Sequence, residues 1–409
     1  MHKRTKVLVF IPVLGLFLNF ASPFALAETS PLFEIVKSEL DRNHLRRSSL
    51  VQLQQFVEAN PQNSDGRLYL GLVLERMGLK EQAQEQLKLA IKYGPDSPKA
   101  LVELCKEEIR QGRVEAAKVL LNYGFRKFPN NPEILYLVGD FLIKQGEYAE
   151  AQRLLEKAFK LDKSIFGLPS ALAQLALSRD YYRAVKYASL DLAVRPDYDR
   201  ALRIRGVAYA GMHQYDKAAK DLSQVFEKNP TLTPISKLLS ESYYWLGDYE
   251  KAMRPAVFYL AFTAKPESQN IGPSIWLAKV VRKLPKEKAL ELVDKYSADI
   301  ATRFNLSVFY YFLGTAFDRI DYRDEAIRYY RKAIAGDDTQ VLAHYRLGLD
   351  LELYKRDYDG ALTALSRAHN LRPWDNEINL AYLRLQDRVY NKHRDFSTAL
   401  KEWFSGLGH

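Results

Sequence analysis

Alanine returns along this chain at an almost constant interval. Ala83, Ala117, Ala151, Ala184, Ala218 and Ala252 stand 34, 34, 33, 34 and 34 residues apart, and Ala326 and Ala361 follow 35 apart. Ala289 bisects the 74-residue gap between Ala252 and Ala326. Three further slots keep step. Twelve residues before come Gly71, Cys105, Gly139, Gly206, Ser240 and Gly314, with Gly348 thirteen before Ala361. Seven after come Ala90, Gly124, Ala158, Ala333 and Ala368, and five further on Pro95, Pro129, Pro196, Pro230 and Pro373. A chain that repeats one supersecondary unit at this period builds a stack of units. Its 409 residues therefore count repeats, where length alone suggests two or three globular domains.

Each slot has a physical reading. Apolar residues flank the small ones at helical spacing, as in Leu70, Gly71 and Leu74 or Leu135, Val138, Gly139 and Leu142. Breakers such as Met77-Gly78-Leu79, Gln145-Gly146-Glu147 and Leu246-Gly247-Asp248 then interrupt the pattern, and a second amphipathic helix follows. The proline ends that helix, since it cannot continue one and biases its neighbour away from helix. The unit is a helix–turn–helix hairpin. Small residues mark the close approach of two helices, and large ones fill the holes between. The aromatics after the turn (Tyr148, Tyr182, Tyr215, Tyr249, Tyr322 and Tyr358) are expected to wedge the hairpin open.

The run Tyr243-Tyr244-Trp245-Leu246-Gly247-Asp248-Tyr249-Glu250-Lys251-Ala252 resembles a tetratricopeptide repeat. So does the series Leu202, Gly206, Tyr209, Tyr215-Asp216-Lys217-Ala218 and Pro230. The resemblance covers about residues 30–409, and it implies an all-α, right-handed α-solenoid of about eleven units whose first helices line a concave face. The units are set at 30–63, 64–97, 98–131, 132–165, 166–198, 199–232, 233–266, 267–306, 307–340, 341–375 and 376–409. Residues 28–266 then form an N-terminal array and 307–409 a C-terminal array with a terminal cap. The unit 267–306 between them is irregular: six residues too long, with Leu277 in the glycine slot, and a candidate hinge.

The first 27 residues read differently. Lys3, Arg4 and Lys6 precede an apolar run, Val7 to Leu18, and Ala25-Leu26-Ala27 supplies a small-x-small exit. That is the pattern of a secretory signal peptide, and twelve apolar residues fall short of the ~20 that a membrane-spanning helix needs. Its removal takes three cations from a net charge of +10, leaving +7 on 382 residues. The expected location is exported, periplasmic or secreted, with an uncleaved N-terminal anchor as the alternative.

Motifs for catalysis are not evident. The sequence has no G-x-G-x-x-G, phosphate loop, H-E-x-x-H or G-x-S-x-G, and its seven histidines are scattered. The single Cys105 occupies a small-residue slot and is read as packed and inert. The basic runs Arg42–Arg47 and Lys279–Lys288 are read as solvated helix faces. Neither an enzyme nor a cofactor is expected, and export with a modest positive excess disfavours nucleic acid. The family geometry implies that Arg200, Arg203, Lys237, Glu241, Tyr244, Tyr311, Tyr345 and Arg346 face the groove. Three basic groups there suit an acidic or C-terminal peptide segment. The Lys/Asn set that chaperone-binding members use for a terminal carboxylate is missing, with Leu68 and Leu72 in its place. The functional expectation is a protein-binding scaffold in cell-envelope assembly, polysaccharide export or secretion. A tethered adaptor is one alternative, and an enzyme with concave-face carboxylates is another. N-terminal sequencing of the mature protein tests the leader: Glu28 is the expected first residue, and Met1 would establish the tether instead.

Overall fold

The structure, a computed structural model, describes residues 31–42, 44–265, 271–301 and 306–393. The expected leader at 1–27, residues 267–270 and 302–305 of the candidate hinge and Ala399 of the terminal cap lie outside the described residues. Within them the regular structure is 21 α-helices and one π-helical turn. The chain divides into two compact units, Met1–Ile134 and Leu135–His409.

The first unit contains the hairpins α1 (Pro31–Asp41) with α2 (Arg47–Ala59), α3 (Ser64–Arg76) with α4 (Lys80–Tyr93), and α5 (Lys99–Arg110) with α6 (Val114–Lys127). The second begins within α7 (Pro132–Gln145) and continues with α8 (Tyr148–Leu161), α9 (Leu168–Ala176), α10 (Tyr181–Val194), α11 (Asp199–Gly211) and α12 (Tyr215–Lys228). Then come α13 (Thr233–Leu246), α14 (Tyr249–Thr263), α15 (Gly272–Val281), α16 (Lys286–Ala301), α17 (Leu306–Asp318) and α18 (Arg323–Gly336). The series ends with α19 (Val341–Asp350), the π turn Leu351–Lys355, α20 (Tyr358–Leu371) and α21 (Asn376–His393). Each helix packs on its successor in most of the series, and first helices also touch across repeats, α9 on α11, α11 on α13 and α15 on α17.

The slots explain this order. The alanines Ala83, Ala117, Ala151, Ala184, Ala218, Ala252, Ala289, Ala326 and Ala361 are all buried. At the glycine slot a Cβ would collide with the side chain about sixteen residues on: Leu87 from Gly71, Leu155 from Gly139, Leu222 from Gly206 and Tyr330 from Gly314. In three other units a larger first residue is followed by a smaller second one, whereas Cys105 keeps the buried Leu121. Leu172 is followed by Ala188, Ser240 by Ala256 and Leu277 by Val293, all buried. The hydroxyl of Ser240 also donates to the Ala252 carbonyl oxygen at 2.8 Å, so the polar atom brought in by the swap is satisfied. Volume is shared across the helix contact, as close packing demands.

Turn residues and prolines mark the helix ends. The position just past the first helix takes a positive φ: glycine fills it at 78, 112, 146 and 247, while His213, Asp321 and Arg356 adopt it despite carrying a Cβ. Helices α4, α6, α10, α12 and α20 each stop two residues short of their proline. The wedge expectation needs correction. Tyr215, Tyr249, Tyr322 and Tyr358 are half-buried, but Tyr148 and Tyr182 are exposed, so the turn does not depend on an inserted ring.

Two irregularities matter later. In the eighth unit α15 packs on α14 and α17, while α16 packs on α14. Ser274 tightens the α15–α17 contact, donating to the Phe312 carbonyl at 2.9 Å and accepting from the Thr315 hydroxyl at 2.9 Å. In the tenth unit the extra residue between Gly348 and Ala361 is absorbed by the π turn, which leaves Leu353 and Tyr354 exposed.

Candidate binding face

The first helices of the second unit carry the residues expected to face a groove, and the structure separates them into three sets. Arg200 is mostly engaged within the protein. Its Nη1 lies 2.6 Å from Asp140 Oδ1 and its Nη2 donates to Gln174 Oε1 at 2.9 Å. The nearby Tyr136 and Tyr198 phenols are both pushed up, chiefly by burial. Arg203 pairs with Asp199 at 3.0 Å and Lys237 with Glu241 at 3.6 Å, each one helical turn apart. All three expected basic groups therefore have a carboxylate of their own chain beside them. An incoming acid would compete with partners already in place.

Around Tyr244 the arrangement is different. Tyr244 is buried within a group of rings: Trp245 at 5.5 Å, Tyr249 at 5.3 Å and Trp276 at 5.4 Å between centroids. Trp245 is 58% exposed and stacks on Tyr215 at 6.2 Å. Lys279, projecting from α15, holds its ammonium 4.7 Å from the Tyr244 ring, 5.2 Å from Trp245 and 5.3 Å from Trp276. Lys283, one turn on, lies 6.0 Å from Tyr244 and 5.9 Å from Tyr249. Among the described residues no carboxylate comes within ion-pair range of either lysine. The Trp276 indole N–H donates to Ser240 Oγ at 2.9 Å, which fixes that ring to the small-residue slot of α13. The arrangement presents an exposed indole beside two cations that lie over ring faces.

The third set lies lower. Tyr311 is buried on α17, with Arg346 beside it as a hydrogen-bonding partner, while Tyr345 is half-buried and Arg346 exposed. Beneath them Arg323 holds three carboxylates: Asp318, Asp321 at 3.0 Å and Asp350 at 3.0 Å. Burial, with Asp318 adding to it, pushes the Asp350 carboxyl up to about 6 against the pull of Arg323 and Arg346. The Tyr330 hydroxyl is also buried there and pushed well up by its burial. The three acids converge, but on an arginine that ties the end of α17 and the turn after it to the end of α19. This is a structural ion network.

The other titratable candidates are packing residues. Cys105 is buried, and its thiol is pushed up to about 12 by burial and by Glu108. His344 is buried with its Nε2 3.0 Å from the Asp338 carbonyl oxygen. Among the described residues no group of three His, Cys, Asp or Glu could hold a metal ion, and no helix is long and apolar enough to cross a membrane.

Two family profiles, both described as tetratricopeptide repeat, match residues 108–164 and 308–335. Those two stretches are tetratricopeptide repeats. Proteins built from such repeats are generally protein-binding scaffolds without catalytic chemistry. No curated protein sequence gives a significant match. Among solved structures, a tetratricopeptide repeat protein from Parabacteroides merdae is similar at 14% identity, over 71% of this chain and 99% of that one, with a TM-score of 0.37. A MamA structure from Desulfovibrio magneticus is similar at 23% identity over 42% of this chain and 96% of that one, with a TM-score of 0.33. YrrB, described as a tetratricopeptide-repeat protein with an unusual peptide-binding site, is similar at 17% identity over 49% of this chain and 100% of that one, with a TM-score of 0.36.

The Asp350 network gives a pH signature. A carboxyl at about 6 in the folded state, against ~3.9 unfolded, binds its proton more tightly when folded. Its contribution is complete below about pH 4 and is lost as pH rises through about 6. The loss is on the order of 2–3 kcal/mol at one pKa unit per ~1.4 kcal/mol. Asp350→Asn should therefore gain roughly that much relative to wild type between pH ~4 and ~7.5 in denaturant unfolding. Parallel stability–pH curves for the two proteins would refute the assignment.

Proposed function

We propose that this tetratricopeptide-repeat protein is an exported scaffold that captures a protein partner on the first-helix face of its second unit. The observation that carries the reading is the patch formed by Trp245, Lys279 and Lys283. An exposed indole costs solvation and suits a buried contact, and aromatic residues are the commonest energetic anchors at protein interfaces. Two lysines held over ring faces and lacking a carboxylate favour an acidic segment, because a carboxylate there displaces no existing ion pair. Arg200, Arg203, Lys237 and Glu241 extend the same face with charges that are already paired. Their expected part is to set orientation more than strength. Tyr311, Tyr345 and Arg346 continue it on later repeats.

Export is supported by the basic start, the short apolar run and the Ala25-Leu26-Ala27 exit. With export, the process served is assembly, polysaccharide export or secretion in the cell envelope, where a scaffold contributes by holding partners together.

Co-purification from the native envelope, with crosslinking, tests the capture site. The triple variant Trp245→Ala, Lys279→Glu, Lys283→Glu should lose at least about tenfold in partner recovery, in line with the ~2 kcal/mol that defines an interface anchor, with unchanged helicity. The variant Arg200→Glu, Arg203→Glu, Lys237→Glu should lose less. Undiminished recovery by the first variant would sink the patch as the capture site.

A further inference from the structure

The extra residue of the tenth repeat reshapes the outer side of the ninth hairpin. Beside the π turn Leu351–Lys355 a cleft of about 720 Å³ opens against α18. Its floor includes the buried Ile327 and Leu351. Arg328, Arg331 and Lys332 reach it from one stretch of α18, and Lys355 reaches it from the π turn.

Four cations thus share one cleft with two carboxylates, Asp324 and Asp357, and both carboxylates are occupied. Asp324 is paired with Lys355. Asp357 caps α20, accepting from the Gly360 backbone N–H at 3.0 Å. Arg328 is oriented from outside by Asp294 at 3.2 Å and by the Tyr329 hydroxyl at 3.0 Å. For Arg331 and Lys332, by contrast, no carboxylate lies within ion-pair range among the described residues. Lys332 rests 5.2 Å from the Tyr329 ring and 5.4 Å from the Tyr310 ring. Like charges brought together in a concave, partly apolar setting raise the local concentration of anions. Arg331 and Lys332, adjacent on α18, line the same cleft, which matches a compact anion carrying several charges better than an extended acidic chain. A guanidinium fork beside a point-like ammonium is the donor combination that phosphate oxygens accept.

We propose that this cleft binds a small multivalent phosphate of the diphosphate class, held chiefly by Arg331 and Lys332. The site lies on a second helix and involves none of the residues of the capture patch, so it stands or falls independently of that reading. The π turn is what creates it, by placing Lys355 across from α18.

Titration calorimetry of the full chain with inorganic pyrophosphate at low ionic strength tests the proposal. Wild type should show saturable single-site binding. The double variant Arg331→Gln, Lys332→Gln should weaken it at least tenfold with unchanged thermal unfolding, and Lys355→Gln should weaken it less. Lys279→Gln with Lys283→Gln should leave it intact. The proposal is overturned if wild type gives no saturable binding, or if the double variant binds equally well. It is also overturned if poly-glutamate binds this cleft while pyrophosphate does not.

Discussion

Everything in this structure depends on one contact, repeated: a small residue on the first helix of a hairpin lying against a large one about sixteen residues later. Glycine meets Leu87, Leu155, Leu222 or Tyr330 at distances that leave no room for a Cβ. Close-packed interiors tolerate neither a void nor an overlap there, so the two positions trade volume. The pairs Leu172 with Ala188 and Ser240 with Ala256, on helices that pack together, show the sizes redistributed. With the hairpin fixed in this way, the remaining surface of each first helix is free to carry other chemistry.

That contact is also why the fold was so legible in the sequence. Small residues in register produce a period that no single substitution erases, and the expected unit boundaries coincide with the helix starts at Ser64, Pro132, Asp199, Thr233 and Val341. In the eighth unit Leu277 fills the glycine slot, and sixteen residues on the buried Val293 stands where Leu87, Leu155 and Leu222 stand in other units. Only the pair, taken together, carries that information. The turn aromatics were harder to read. Tyr148 shares a sequence position with Tyr249 but faces solvent, and Tyr182, one position further on in its repeat, is exposed as well.

The candidate site was legible only in part, for an electrostatic reason. Tyr244, one of the positions projected from the repeat, lies at the centre of the ring cluster. Arg203 and Lys237 meet carboxylates one turn away on their own helices, but Arg200 is joined to Asp140, sixty residues earlier. Lys279 looked like part of a solvated basic run, yet it meets three rings contributed by two helices. The cleft beside the π turn was announced by a single extra residue between Gly348 and Ala361, but its cations come from two separate elements.

The volume exchange within the hairpin contact is tested most directly by a double-mutant cycle at Gly139 and Leu155, recreating the Ser240–Ala256 pair in another repeat. A Cβ at Gly139 would lie 2.6 Å from Leu155 Cγ, so Gly139→Ser alone should cost ~1–3 kcal/mol. Leu155→Ala alone should cost ~2–5 kcal/mol. The double variant should be more stable than the sum of the two costs by at least ~1 kcal/mol in denaturant unfolding. Additive costs would contradict the account.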